Sequence, residues 1–256
     1  MIEHALIDTE AQASCKTCGA DLSGPYCSQC GQKHHKTRFS LRTVTKDAIS
    51  QFFSLDRGLI STVVALAKKP GEVVVQYVAG KTKLFSNPFR YFLLWVTVAQ
   101  IISLWSGALD DFVEGFVSGG GTDTDANTIV SYLTKYYVLG LAGSFPFLVL
   151  GTFAFFFKSG RNLAEHIIFH LFLSAQYAIY LSISLIVLGV LGDELGSVTF
   201  IIALIAGFVG AIRAARQFFN VGYFKAIVFT PLAIGIGLAA YFFVIALIGM
   251  AVVSFF

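Results

Sequence analysis

Long apolar stretches alternate with short polar ones along the second half of the chain, from residue 88 onward. A helix needs about 20 mostly apolar residues to cross the ~30 Å hydrocarbon core of a bilayer. By that measure the pattern predicts five membrane-spanning helices, of which the fourth is short. The predicted spans are 89–105, 137–157, 164–191, 198–215 and 226–256.

The preceding segment, residues 38–87, predicts short amphipathic helices rather than spans. Apolar side chains recur in it at helical spacing, but each run is too short and too polar to cross a bilayer. Basic side chains flank the apolar faces, which favours a position on the membrane surface over anionic headgroups. A small cytosolic bundle of the same helices is the alternative. The basic residues expected at the membrane surface are Lys68, Lys69, Lys81, Lys83 and Arg90.

The composition agrees with a membrane protein. Hydrophobic residues make up 56% of the 256 positions and charged residues 13%, whereas soluble domains have about 45–50% and about 25%. This balance excludes a soluble enzyme, a disordered chain and a disulfide-stabilised scaffold.

The basic residues of the loops predict the orientation in the membrane. If the N-terminus is cytosolic, the inside segments are 1–90, 158–166 and 213–225, and they hold 17 of the 18 Lys and Arg residues. Lys and Arg concentrate on the cytosolic side of membrane proteins. The first 14 residues carry acids and lack the apolar stretch of a signal peptide. We therefore expect a cytosolic N-terminus and a C-terminus outside.

All four cysteines lie in the N-terminal segment, residues 1–37, as two Cys-x-x-Cys pairs that each end in Cys-Gly. The pairs are Cys15 with Cys18 and Cys27 with Cys30. Thiols stay reduced in the cytosol, which disfavours disulfides. Two such turns give a tetrahedral four-thiolate site that suits one Zn²⁺ and leaves no position for water or substrate. The spacing predicts a structural zinc ribbon, with bound iron or redox-active thiols as alternatives.

Together these patterns predict an all-α polytopic membrane protein with about five transmembrane helices, a small N-terminal zinc ribbon and interfacial amphipathic helices. The predicted divisions are 1–37 for the ribbon, 38–87 for the interfacial helices and 88–256 for the transmembrane domain.

A second candidate site lies at the cytosolic start of the third span, at Glu165, His166 and His170. The two histidines are one helical turn apart on one face, a spacing that can share a metal ion. The cluster could therefore bind a metal or a lipid headgroup. The alternative is that these side chains extend to the membrane interface without a ligand.

Several functional classes lack support in the sequence. No Asp, Glu, Lys or Arg lies near the centre of a predicted span, as ion-coupled carriers usually require. The chain has no phosphate-binding loop, nucleophile elbow or zinc-protease motif. It also has no basic stripe interleaved with aromatic residues, which disfavours nucleic-acid binding. We expect no enzymatic activity.

Several blocks of the chain together resemble an uncharacterised bacterial family of membrane proteins, catalogued as a domain of unknown function. These blocks read YCSQCGQK, RFSLRTVTKD, FFSLDRGL, KKPGEVVVQYVAGK, NPFRYFLL, AEHIIFHLF and RQFFNVGYFKA. Members of that family join an N-terminal zinc ribbon to several hydrophobic spans. The resemblance implies an inner-membrane location and a zinc site at the four cysteines, but it implies no activity.

The leading hypothesis is therefore a membrane-embedded accessory or scaffold protein whose ribbon docks a cytosolic protein partner. The first alternative is a lipid-handling or small-molecule transport protein, which requires a cavity lined by Gln176, Tyr177 and Tyr180 of the third span. The second alternative is a metal-sensing membrane protein.

Overall fold

A computed structural model of the chain shows a helical architecture, and the structure describes residues 14–33, 38–43, 45, 58–107 and 137–255. Part of the predicted interfacial segment 38–87 and most of the stretch between the first two predicted spans lie outside these residues. In chain order the described α-helices are α1 (Leu59–Lys68), α2 (Pro70–Val78), α3 (Pro88–Ser106), α4 (Tyr137–Gly143), α5 (Phe145–Phe155), α6 (Leu163–Leu191), α7 (Asp193–Phe218) and α8 (Tyr223–Phe255).

Four helical segments of the described residues are long and apolar enough to cross a membrane. They are Thr82–Ser106, Leu163–Leu191, Glu194–Phe218 and Tyr223–Leu247. They coincide with the first, third, fourth and fifth predicted spans. The protein is thus an all-α polytopic membrane protein. The helix of the fourth predicted span, α7, extends beyond the predicted bounds 198–215 at both ends.

The second predicted span, 137–157, contains two helices that meet at Ser144. Pro146 follows in the first turn of α5. Proline has no backbone N–H to donate to the preceding turn, and its ring clashes with a continuous helix. The apolar pattern of this stretch therefore predicts the helical content but not the break within it.

Helix α6 forms the centre of the membrane domain. Within the most apolar 18-residue stretch of each helix, 61% of the residues are buried in α6, compared with 11% in α7 and 17% in α8. Helices α3 and α7 pack along α6, and aromatic side chains fill the contact between them. The ring centroids of Tyr91 in α3 and Phe172 in α6 lie 6.0 Å apart. The outer faces of α7 and α8 expose large apolar side chains, as expected of surfaces that face lipid.

The short helices α1 and α2 pack against the end of the membrane domain at which α6 begins (Leu163) and α7 ends (Phe218). Val73 and Val74 of α2 are buried, and the ring of Tyr77 contacts Phe172 at 5.3 Å between centroids. Helix α1 instead leaves Ile60 and Val64 exposed. The apolar face of α2 therefore lies on protein, whereas α1 packs Leu66 into the core and leaves only its Ile60 and Val64 side exposed.

Candidate metal centre and polar sites of the membrane domain

The structure brings the four cysteines together in one cluster. Their sulfur atoms all lie within 4.8 Å of one another. The Cys15 and Cys30 sulfurs are 3.6 Å apart, and those of Cys18 and Cys27 are 3.5 Å apart. Four thiolates around Zn²⁺, at Zn–S distances of about 2.3 Å, require sulfur–sulfur separations of about 3.8 Å. The arrangement thus fits one tetrahedral metal ion with four protein ligands.

The glycine that follows each Cys-x-x-Cys pair shapes this cluster. Gly19 and Gly31 adopt φ values of +77° and +70°, in the left-handed region that glycine enters without a steric cost. Their amides donate to the carbonyls of Cys15 and Cys27, at 2.8 and 2.9 Å. Each turn is thereby closed so that both of its sulfurs face the same point.

Backbone amides also favour the thiolate form of two of the ligands. The amide of Cys18, and after it that of Thr17, donates to the Cys15 sulfur and lowers the pKa of this thiol to about 6. The amide of Cys30 lowers the pKa of Cys27 in the same way. Metal ions bind the thiolate rather than the thiol, so these donors favour metal binding at Cys15 and Cys27.

Gln32, directly after the second pair, attaches the cysteine segment to the membrane domain. Its Nε2 donates to the carbonyl of Gly80 at 3.0 Å and to Thr82 Oγ1 at 2.8 Å. Its Oε1 accepts from the Lys83 amide at 2.8 Å and from Thr17 Oγ1 at 3.0 Å. The side chain is buried. This contact holds the metal centre beside the loop that leads into α3.

Glu165 forms part of the N-terminal cap of α6 and of an ion pair. Asn162 and Glu165 make a capping box, in which each side chain accepts from the backbone amide of the other residue. Arg38 donates from Nε and Nη2 to the two carboxylate oxygens, and its pKa is raised by this hydrogen bond. Both oxygens of Glu165 therefore have protein partners.

His166 and His170 are both buried, and they share one partner in α5. Thr152 Oγ1 lies 3.1 Å from His166 Nδ1 and 2.8 Å from His170 Nε2. His166 Nε2 has no hydrogen-bond partner among the described residues. The predicted cluster is thus divided, because Glu165 pairs with Arg38 while the histidines join α6 to α5. Its role as a metal or headgroup site stays a prediction.

The basic residues predicted at the membrane surface lie around the start of α3 and the α1–α2 connection. Lys68, Lys69 and Lys83 are exposed, whereas Lys81 and Arg90 are half-buried. Asn87 caps the N-terminus of α3, and its side chain accepts from the amides of the two residues that follow Pro88, at 3.0 and 3.3 Å. The contact of the five basic residues with anionic headgroups stays a prediction.

The polar face of α6 borders two cavities. The small cavity, of about 210 Å³, lies between α6, α7 and the α1–α2 connection, and Gln176, Tyr177 and Tyr180 line it. This is the cavity that the lipid-handling hypothesis requires. The large cavity, of about 350 Å³, lies among α3, α5, α6, α7 and α8 and is mostly apolar.

The sequence analysis did not single out three residues that the structure places in these sites, namely Gln32, Arg38 and Thr152. Gln32 has a local signal, since it follows the second Cys-Gly directly. Arg38 and Thr152 have none, because no neighbouring motif marks either residue and their partners belong to other segments of the chain.

Fold and site define a polytopic helical membrane protein with an N-terminal four-cysteine module suited to a metal ion. The profile of a family described as "Protein of unknown function (DUF3667)" matches residues 56–99, the stretch that contains α1, α2 and the first part of α3. Comparison with curated proteins and with solved structures gives no match. The resemblance to a family of unknown function is confirmed for this stretch.

Proposed function

We propose that the protein is an accessory or scaffold protein of the bacterial inner membrane whose ribbon docks a cytosolic protein. The position of the ribbon supports this proposal most directly. Gln32 fixes it to residues 80–83 beside the first span, while Tyr26 of the same ribbon stays 60% exposed. A fixed module loses less conformational freedom when a partner binds. We assign the protein no enzymatic step.

In this proposal the ribbon holds one structural Zn²⁺. Four thiolates in a tetrahedral arrangement are the ligands that zinc prefers in such modules. A segment of this size has no apolar core, so its folding depends on metal binding, which contributes ~10–16 kcal/mol in comparable zinc peptides. The metal thereby maintains the shape of the docking surface.

The distribution of basic residues supports the orientation that docking requires. The segments that would face the cytosol hold 17 of the 18 Lys and Arg residues, which supports an N-terminus in the cytosol and a C-terminus outside. The exposed side chains of Lys68, Lys69 and Lys83 would then contact anionic headgroups of the cytosolic leaflet.

The docking surface we propose includes Tyr26 and the turn before it, residues 23–25, all of which are exposed. Exposed aromatic side chains are enriched among the residues that dominate binding energy at protein interfaces. The ribbon carries no comparable exposed aromatic elsewhere among residues 14–33.

Cross-linking followed by purification in mild detergent tests this function. We compare the wild-type chain with Tyr26→Ala, with the double variant Cys27→Ser/Cys30→Ser and with the control Gln29→Ala. A docking ribbon predicts one stoichiometric partner that both test variants lose and the control retains, at unchanged membrane insertion. Identical sets of co-purified proteins for all four chains would exclude docking.

A second candidate function is the handling of a lipid or small molecule. The observation in its favour is the small cavity at Gln176, Tyr177 and Tyr180, together with the large cavity next to it. Retention of a lipid by the purified wild-type chain, in the absence of a partner protein, would support this second function over the first.

A further inference from the structure

The small cavity has a basic mouth. Arg213 of α7 lies at this mouth and is exposed, and its Nη2 donates to the carbonyl of Lys68 at 3.0 Å. A guanidinium has five N–H donors, so further donors remain for a ligand. The neighbouring Lys69 is paired with Glu72 at 3.1 Å. The mouth therefore suits an anionic group that an arginine can bind.

Gln176 presents an unused donor deeper in the same cavity. Its Oε1 accepts from the hydroxyl of Tyr91 at 3.0 Å. Its Nε2 finds no hydrogen-bond partner in the part of the chain that the structure describes, although the side chain is 96% buried. A buried amide without a partner is costly, and an acceptor on a ligand would satisfy it.

The large cavity provides the complementary apolar space. Phe92, Val96, Leu181 and Ile234 are among its lining residues. A cavity of about 150 Å³ with such walls already binds benzene, so about 350 Å³ holds a longer hydrocarbon. Thr230 contributes one polar atom, and its buried Oγ1 lacks a partner among the described residues.

Tyr177 separates the two cavities. Leu173, Tyr177 and Gly207 line both of them, so the cavities adjoin at the contact of α6 with α7. A Cβ atom on Gly207 would lie 2.7 Å from the Tyr177 ring. The glycine thus leaves just enough space for the ring at the junction of the two cavities.

We propose that the two cavities form one binding site for an anionic bilayer phospholipid. The phosphate binds at Arg213, an ester oxygen accepts from Gln176 Nε2, and one acyl chain enters the large cavity past Tyr177. This assignment rests on the second function above, lipid handling, and names its ligand. We take the bilayer as the source of the ligand because the mouth lies beside the α1–α2 connection, whose exposed Lys68 and Lys69 are predicted to contact anionic headgroups.

Photo-cross-linking in vesicles tests the site. The probe is a phosphatidylglycerol with a photoreactive group at the end of one acyl chain, in phosphatidylcholine vesicles that contain the full chain. We expect cross-links at Ile234 and Leu238, which line the large cavity. Cross-links confined to Leu232 and Ile236, which are exposed on another face of α8, would show ordinary lipid contact and overturn the proposal.

Variants identify the two ends of the site. Ala211→Phe fills the large cavity, and Arg213→Gln removes the anion-binding charge at an exposed position while keeping a side-chain N–H that can donate to the Lys68 carbonyl. Each should reduce the cross-links at Ile234 at least about tenfold. The matched controls are Ala240→Phe and Lys225→Gln, at exposed positions of α8. Unchanged yields in Arg213→Gln would overturn the anionic headgroup, and unchanged yields in Ala211→Phe would overturn the acyl chain.

Two further arms separate the possible ligands and functions. A phosphatidylcholine probe or a free fatty-acid probe that labels Ile234 as efficiently would overturn the choice of an anionic phospholipid. Tyr26→Ala should leave labelling unchanged, since the ribbon lies outside the site. The two functions therefore fail separately. Absence of Ile234 labelling in a wild-type chain that still binds a docked partner would mean that the lipid site is wrong, whereas labelling without any docked partner would mean that the scaffold function is wrong.

Discussion

Arg38 and Glu165, which are 127 positions apart in the chain, form a two-pronged ion pair at 2.5 Å between Nε and Oε1 and between Nη2 and Oε2. The acid is 1% exposed and the base 53%. A buried carboxylate requires a charge partner and hydrogen bonds. The arm that follows the ribbon, residues 38–43, supplies both and is thereby attached to the first turn of α6.

Removal of this charge partner should destabilise the membrane domain. Arg38→Gln leaves the Glu165 carboxylate buried with the Asn162 amide and, at 3.9 Å, Arg161 as its remaining partners among the described residues. We expect a loss of about 2–4 kcal/mol in the free energy of unfolding, measured by denaturation in detergent. Arg42→Gln, an exposed position in the same arm, should change it little. The double variant Arg38→Gln/Glu165→Gln should be more stable than Arg38→Gln, and the opposite order would contradict the buried ion pair.

Gln32 should control how firmly the ribbon is attached. Gln32→Leu keeps the side-chain volume but leaves the Gly80 carbonyl and the Lys83 amide without their partner. Hydrogen exchange of the amides at 80–84 should then accelerate about tenfold or more. Gln29→Leu, at an exposed position, serves as the control. Equal exchange in both variants would mean that Gln32 does not hold the ribbon.

One metal ion per chain should depend on the four thiolates. Cys27→Ser removes a ligand, so the purified protein should lose its metal, whereas Ser28→Ala should keep it. Because metal binding folds such segments, protease cleavage should begin within residues 14–33 of the Cys27→Ser chain. Metal analysis identifies the ion. We expect zinc, and iron in its place would correct the assignment.

Two glycines of α8 should respond in opposite ways to one added methyl group. A Cβ on Gly237 would lie 2.8 Å from the Phe147 carbonyl oxygen of α5, whereas a Cβ on Gly235 would meet nothing within 4 Å. Gly237→Ala should therefore cost about 1–3 kcal/mol of folding stability by forcing the helices apart. Gly235→Ala should gain up to about 1 kcal/mol from its better helix propensity. Similar stabilities for the two variants would disprove the close α5–α8 contact.

The orientation of the chain can be tested with reporter fusions. A C-terminal alkaline phosphatase, which is active only outside the cytosol, should be active. A C-terminal green fluorescent protein exported through the same route should stay dark. The reverse result would place the C-terminus in the cytosol and contradict the distribution of Lys and Arg.

The sequence determined the elements whose physics is local. Four cysteines at Cys-x-x-Cys spacing, each pair followed by glycine, predict a metal cluster because the turn itself aims both sulfurs at one ion. Apolar length predicted the four long helices for the same reason, since crossing a bilayer depends on consecutive residues. The expectation of a cavity at Gln176, Tyr177 and Tyr180 came from polar residues on one face of one helix.

The tertiary structure decided every contact between distant segments. It pairs Glu165 with Arg38 rather than with the histidines beside it, and it gives both histidines to Thr152 of α5. It also attaches Gln32 to the loop before α3. A polar side chain buried in a helical domain takes whichever partner the packing of other segments brings within reach, and no local pattern specifies that partner.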